Sequence, residues 1–310
     1  MSLLAGTDDG VFRLATDSTD DARRVLDAGR VMRLRTFDAF EGVFAASKTG
    51  LYRSLDGGDS WTDLGVPREE IYSVVAAPDG GRLYVGTHPA HLYVSVDGEG
   101  GEWRELTGFQ ELPSRGEWYT PRHRDEAHIR SLGVHPDVPE RVIAGVEVGG
   151  VHVSDDEGNA WSERKEGVHD DVHHVLVLRP AEYVASTGSG LYRTTDAGRS
   201  WTRLDGDLDH RYFREAITHD GRLYAAAARG SPGSWSGESG ADAALFESEG
   251  GMDFEQVAYP GGPEEVVLAW AVVDGIVTAG TNDGRMLRRA DGTWRDCGTL
   301  PAGVRSLTAI

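Results

Sequence analysis

The chain carries one cysteine, Cys297, which excludes an internal disulfide framework. Lysine is nearly as scarce: Lys48 and Lys165 are the only two, so almost all positive charge is arginine. No apolar run approaches the roughly 18 residues of a membrane span. No basic cluster with interleaved aromatics offers a nucleic-acid surface, and no segment has the length of a substantial amphipathic helix. The opening residues, 1–8, lack the basic n-region and apolar stretch of a secretory leader. The expectation is a cytoplasmic chain with neither nucleic-acid nor membrane partners.

Glycine and acid are what the chain has in excess. Glycine accounts for 41 of 310 residues, as turn-dense β architecture requires. Acidic residues number 51 against 31 basic ones, a formal charge of −20. This acidic, lysine-poor, alanine-rich composition resembles that of proteins from salt-in halophilic archaea. There, dense carboxylates hold hydration at molar salt, where the Debye length falls to about 3 Å. An ordinary acidic cytoplasmic protein is the alternative.

A repeat with a period of about forty residues organises the chain. Seven times an Ala/Val-Gly-Thr-like strand end is followed by a Gly-Leu-Tyr-Arg-Ser-like strand, and in five of the seven a compact turn and a tryptophan come next. Strand chemistry at this period closes into a radial array. The expected fold is therefore all-β, a seven-bladed β-propeller of four-stranded antiparallel blades, with 1–310 as one domain. Inner strands are expected to begin near Val31, Ile71, Ile129, Val172, Phe213, Val266 and Val304. The last of these has no blade of its own and is expected to pair with Leu3–Gly6, removing the exposed edges of an open array.

The turn motif reads Ser-x-Asp-x-Gly-x-Ser/Thr-Trp. It occurs as Ser54/Asp56/Gly58/Trp61, Ser154/Asp156/Gly158/Trp161 and Thr194/Asp196/Gly198/Trp201. A stretched copy is Ser95/Asp97/Trp103, and decayed ones are Glu247/Glu249/Gly251/Phe254 and Arg289/Asp291/Trp294. The motif resembles the Asp-box, or BNR, repeat of sialidases, sortilin-like receptors and photosystem-assembly propellers. Its expected role is structural: the aspartate bonds its own turn, glycine takes positive φ, and tryptophan packs between blades.

Propeller connectivity puts the inter-blade loops and the second-to-third-strand loops on one face, opposite the Asp-turns. Two loops on that face are long, 107–128 before the fourth blade and 228–243 within the sixth. Long loops on a regular scaffold point to function, so the site is expected there, at the mouth of the central channel. The first loop supplies Trp118, Tyr119, Arg122, His123 and His128, and the second supplies Trp235. The tryptophans are candidates for stacking on a sugar or planar ligand, the alternative being that they anchor their own loops.

Aligned on their first apolar residue, the inner strands place Met32, Tyr72, Arg130, His173, Arg214, Val267 and Arg305 in one ring. Arg130, Arg214 and Arg305 then approach the axis from three directions. Asp-box sialidases hold a substrate carboxylate with three arginines, which the resemblance extends to these three positions. No Phe-Arg-Ile-Pro segment and no catalytic aspartate loop of that family is present. The alternative is that channel arginines bond backbone carbonyls and acids such as Glu215.

For acid–base work the candidates are His128, His173, Glu147, Asp170 and Asp171, with Tyr72 in the position of a sialidase-like nucleophile. Strand alternation is expected to keep His173 and His174 from both facing the channel. No His-Glu-x-x-His or paired-cysteine spacing appears, so no metal and no cofactor is expected. Three functions follow. One is a ligand-binding or assembly module whose partner is a small anion, a carbohydrate-like ligand or a protein. The second is a sialidase-like hydrolase or lyase, and the third a metal-dependent hydrolase or lactonase.

Overall fold

The last strand, Val304–Ala309, lies antiparallel beside the first, Ser2–Thr7, with Leu3 opposite Ala309 and Ala5 opposite Leu307. The two termini thus complete one blade with Gly10–Ala15 and Arg23–Leu26. In this computed structural model, which describes residues 2–96, 101–120, 123–206, 208–235 and 240–310, six further four-stranded antiparallel sheets complete the ring. The protein is a seven-bladed β-propeller. Inner strands start at Val31, Ile71, His128, Val172, Tyr212, Val267 and Val304, each within a residue of expectation. Asp97, in the stretched turn, lies outside the described residues.

The glycine that ends the second strands has a packing cause. A Cβ on Gly6, Gly86, Gly145 or Gly280 would come within 2.8 Å of Val31, Ile129, Val172 or Val304, the first apolar residue of the next blade's inner strand. Each wedge can therefore approach its neighbour closely only where a side chain is missing. The following Thr or Ser fixes the hairpin: Thr7 Oγ1 donates to the Gly10 carbonyl at 2.9 Å, and Ser47 and Thr187 repeat the bond at 3.0 and 2.8 Å.

The Asp-turns are bonded internally. Ser54 Oγ donates to Asp56 Oδ1 at 2.8 Å, the Gly58 amide donates to Ser54 Oγ at 2.8 Å, and the Ser60 amide donates to Asp56 Oδ1 at 2.8 Å. Asp156 and Asp196 are held in the same way. Gly58, Gly158 and Gly198 take φ of +93°, +92° and +84°, as the turn demands. Trp61, Trp161 and Trp201 then pack into apolar clusters that mix residues of two adjacent blades. In the sixth blade the decayed turn begins with buried Glu247 instead, which takes Arg289 Nη2 at 2.7 Å and Trp294 Nε1 at 3.0 Å from the seventh blade.

The two faces are set apart by backbone bonds. Second-to-third-strand turns bond the inter-blade segments, as in Asp8 to Gly303 at 3.0 Å, His88 to Glu70 at 3.0 Å and Gly149 to Asp170 at 3.0 Å. On the other side the Asp-turns bond first-to-second-strand turns, as in Ala197 to Ala181 at 2.9 Å. Among the described residues no helix is long and apolar enough to cross a membrane.

Candidate functional site

Each inner strand carries a β-bulge, and the unpaired residue points to the axis. Pairing skips between Val31 and Arg33, Ile71 and Ser73, Ile129 and Ser131, Val172 and His174, Phe213 and Ala216, Val267 and Ala269, and Val304 and Ser306. The skipped residues Met32, Tyr72, Arg130, His173, Arg214, Glu215, Leu268 and Arg305 line the channel. Bulges re-aim side chains out of the ladder, which is why they gather beside functional sites. The ring is therefore as expected in six blades and shifted in the seventh. Leu268 replaces Val267, because Val267 is itself paired, to Thr281, and buried between blades.

The histidine pair divides as expected: His173 is skipped in the pairing and lines the channel, whereas His174 is paired to Ser186 and is not among the lining residues. His174 Nε2 lies 3.5 Å from Glu215 Oε1. Glu215 itself bonds Arg33 at 2.9 Å, with Arg35 at 3.9 Å, rather than the ring arginines. Burial pushes the Glu215 carboxyl up, but Arg33, His174 and Arg35 outweigh it and leave the group below its usual value. Burial likewise holds His174 down to about 3.

A hollow of about 260 Å³ opens at the mouth on the long-loop face. It is lined by Tyr72, Arg130, Arg214 and Arg305, by His123 of the first long loop, and by Pro232 of the second. Both long loops thus reach one site. A neighbouring recess of about 190 Å³ holds Arg214 and Arg305 again, with Tyr212, Trp235 and Leu268.

The three arginines differ in how their charge is spent. Arg130 is buried and bonded to Glu147 Oε2, and burial pulls its guanidinium below its ordinary value. Arg305 makes a two-armed bond to Asp8, at 3.0 and 2.7 Å, and Asp8 is shared with Arg30 Nε at 2.6 Å. Arg214 donates to the Tyr212 hydroxyl at 2.9 Å, and among the described residues no carboxylate pairs with it. Asp8, Arg30 and Tyr212 were not among the residues singled out from the sequence. Asp8 sits in the second-to-third-strand turn of the first blade, the same kind of turn that carries His88, so topology alone was the available signal.

Around Glu147 the candidates for acid–base work do assemble. His123 Nε2 lies 3.4 Å from Glu147 Oε1 and His128 Nε2 lies 3.0 Å from Oε2. Burial, then the nearby charges of Arg130, His123 and His88, hold the His128 imidazole well below its usual value, so it stays neutral. On the adjoining blade Asp171 forms a backbone bridge with Glu147, and its Oδ1 is 3.3 Å from His173 Nε2. Burial pushes the Asp171 carboxyl up, but His173 and Arg130 outweigh it and bring it to about 2. Tyr72 is buried, its ring 4.1 Å from that of His128.

Other candidates fall outside this cluster. Trp118 is buried at 5% exposure, with Nε1 bonded to Ser114 Oγ at 3.1 Å and its ring against Phe109 and His152. Its ring is spent on anchoring the loop. Trp235 is half-buried, bonds the Gly230 carbonyl at 2.8 Å, and still shows part of its ring to the recess. Tyr119 and Asp170 are exposed, and Arg122 lies outside the described residues. A larger hollow of about 460 Å³ lies between the fifth and sixth blades on the opposite face, but its Arg179 and Arg193 are both taken by Glu182.

No protein-family model matches the chain, and no curated protein sequence matches it. Solved structures do resemble it. A GH74 enzyme from Niastella koreensis superposes with a TM-score of 0.65 at 15% identity, over 86% of this chain and 45% of that one. The chain thus spans less than half of that protein. YCF48 from Cyanidioschyzon merolae gives 0.60 at 16% identity, over 88% and 86% of the two chains. A structure of YCF48 bound to D1 peptide gives 0.57 at 17%, over 86% and 81%. Such likenesses define the class, a seven-bladed propeller. At these identities they carry the fold alone.

Proposed function

We propose that this propeller is a ligand-binding module whose channel mouth takes a small anion, a carboxylate first among the candidates. The observation that carries this reading is Arg214, which faces the 260 Å³ hollow beside Arg130 and Arg305 and has no carboxylate partner among the described residues. A guanidinium that, among the described residues, bonds only a phenol has donors to spare, and a carboxylate matches its fork. Arg305 and Arg130 add positive field even though Asp8 and Glu147 share it. The Asp-box resemblance of the turns and the acidic, lysine-poor surface support a haloarchaeal cytoplasmic protein of that group. Calorimetry against sugar acids and their neutral parents tests the reading; equal affinity for acid and parent overturns it.

An enzyme acting on the bound anion is the second reading, favoured by the gathering of Glu147, His123 and His128 beside Arg130 at the same mouth. Assembly with a protein or peptide through the long-loop face is the other form of the binding reading.

A further inference from the structure

We propose that His123, His128 and Glu147 form a site for one divalent transition-metal ion at the channel mouth. Their ligand atoms, one from each residue, lie within 4.8 Å of one another. His123 Nε2 lies 3.4 Å from Glu147 Oε1 and His128 Nε2 lies 3.0 Å from Oε2, so each imidazole stands at a neighbouring-ligand distance from a different oxygen of the one carboxylate. With metal–ligand bonds of about 2.1 Å, adjacent donors stand about 3.0–3.4 Å apart in octahedral and tetrahedral shells.

A second observation points the same way. His128 is fully buried, yet among the described residues neither ring nitrogen has a hydrogen-bond partner, the 3.0 Å approach to Glu147 not counting as one. Buried polar atoms are rarely left so, since each loses its water without gaining a partner. An ion between the three side chains supplies the partner that Nε2 lacks. Tyr72 packs on the His128 ring at 4.1 Å and His123 meets it edge-on at 4.8 Å, which holds the imidazole in place.

Two imidazoles and a carboxylate suit a borderline ion such as Zn2+ rather than Mg2+ or Ca2+. Three protein ligands leave a coordination position open, and His123 and Glu147 both face the hollow that Arg214 and Arg305 line. The Arg130 guanidinium on Glu147 Oε2 competes with the ion for that oxygen. A second set, Glu147, Asp171 and His173, shares the same carboxylate across the blade boundary. His173 Nδ1 donates to the Phe213 carbonyl at 2.6 Å, which leaves its Nε2 free as a ligand, but among the described residues it is His128 whose two buried nitrogens both lack a partner, so the first set is the one that an ion would satisfy.

The test is a Zn2+ titration of the chelator-treated full chain in a buffer free of carboxylate and phosphate, so that its outcome does not depend on the anion reading. The expected result is one Zn2+ per chain, with affinity falling at least tenfold in His128→Ala and in Glu147→Gln and less than threefold in His173→Ala. Co2+ added to the unmutated protein should give visible d–d absorption, a readout that needs no variant to fold. Zn2+ uptake no tighter than that of His128→Ala, a larger loss in His173→Ala than in His128→Ala, or Co2+ spectra identical to the free ion would overturn the proposal.

Discussion

Arg305 reaches Asp8 with both arms of its guanidinium, Nε to Oδ1 at 3.0 Å and Nη2 to Oδ2 at 2.7 Å, although 297 residues separate the two. The contact ties the closing strand to the first hairpin and at the same time neutralises one of the three arginines at the mouth. Asp8→Asn therefore separates the two roles. Because the pair is partly exposed, the stability change is expected to stay within about 1 kcal/mol. Anion affinity is expected to rise severalfold as Arg305 is released. Calorimetry beside a thermal melt reads both, and weaker anion binding would make Asp8 a positioning residue for the ligand.

The Asp-turns are expected to act on stability alone. Asp196→Ala removes the acceptor for Ser200 N at 2.9 Å, Ser200 Oγ at 2.7 Å and Thr194 Oγ1 at 2.8 Å. A loss of about 1–2 kcal/mol is expected in denaturant unfolding, with anion affinity unchanged. A change in affinity at constant stability would contradict this division of labour.

Trp118→Ala leaves a large void beneath the first long loop, where Phe109, Leu112 and Ala127 share its cluster. A loss of about 3–5 kcal/mol is expected. Trp235→Ala, from a half-buried ring beside Tyr212 at 5.9 Å, should cost less and should lower ligand affinity through the recess it lines. Urea titrations and calorimetry on the two variants should rank them in opposite order. A ranking in the same order would place Trp118 at the ligand.

Acid should unfold the protein in two stages. Burial depresses the imidazoles of His128, of His152 (to about 4) and of His174 (to about 3), so the unfolded chain binds more protons than the folded one below its usual histidine value of 6.5. Stability from these groups is complete above about 6.5 and declines as pH falls toward their folded values. Carboxylates follow. Glu70, which Lys48 and Arg124 bring down to about 2 against the pull of burial, and Asp196, held near 2 by Ser200, lose their contributions from about pH 4.5 downward. Thermal melts at pH 7, 5 and 3 should show Tm falling at each step. An equal Tm at pH 7 and 5 would contradict the buried neutral imidazoles.

The blades were legible because turn chemistry is local. Ser54, Asp56, Gly58 and Trp61 bond and pack within eight residues and the adjoining wedge, so their spacing already states the turn. The ring was legible to the extent that every inner strand inserts its bulge at the same place. It slipped only in the seventh blade, where Val266 and Val267 offer two starting points and pairing begins at the second. The charge partners of the arginines were not legible. Asp8 with Arg305 and Glu147 with Arg130 meet through blade closure and hairpin geometry, which no short spacing encodes. Trp118 looked like a binding residue because its neighbours in sequence are polar. Its neighbours in space are Phe109 and His152.

The most direct measurement is a calorimetric titration of the unmutated chain and Arg214→Gln with a panel of sugar acids, each beside its neutral parent sugar, at moderate and molar salt. At least one acid should bind ten times or more tighter than its parent, weaken as salt screens the guanidinium groups, and lose tenfold or more in Arg214→Gln at unchanged Tm. An acid that binds Arg214→Gln as tightly as the original chain, or a panel without any preference for acid over parent, would contradict an anion site at the channel mouth.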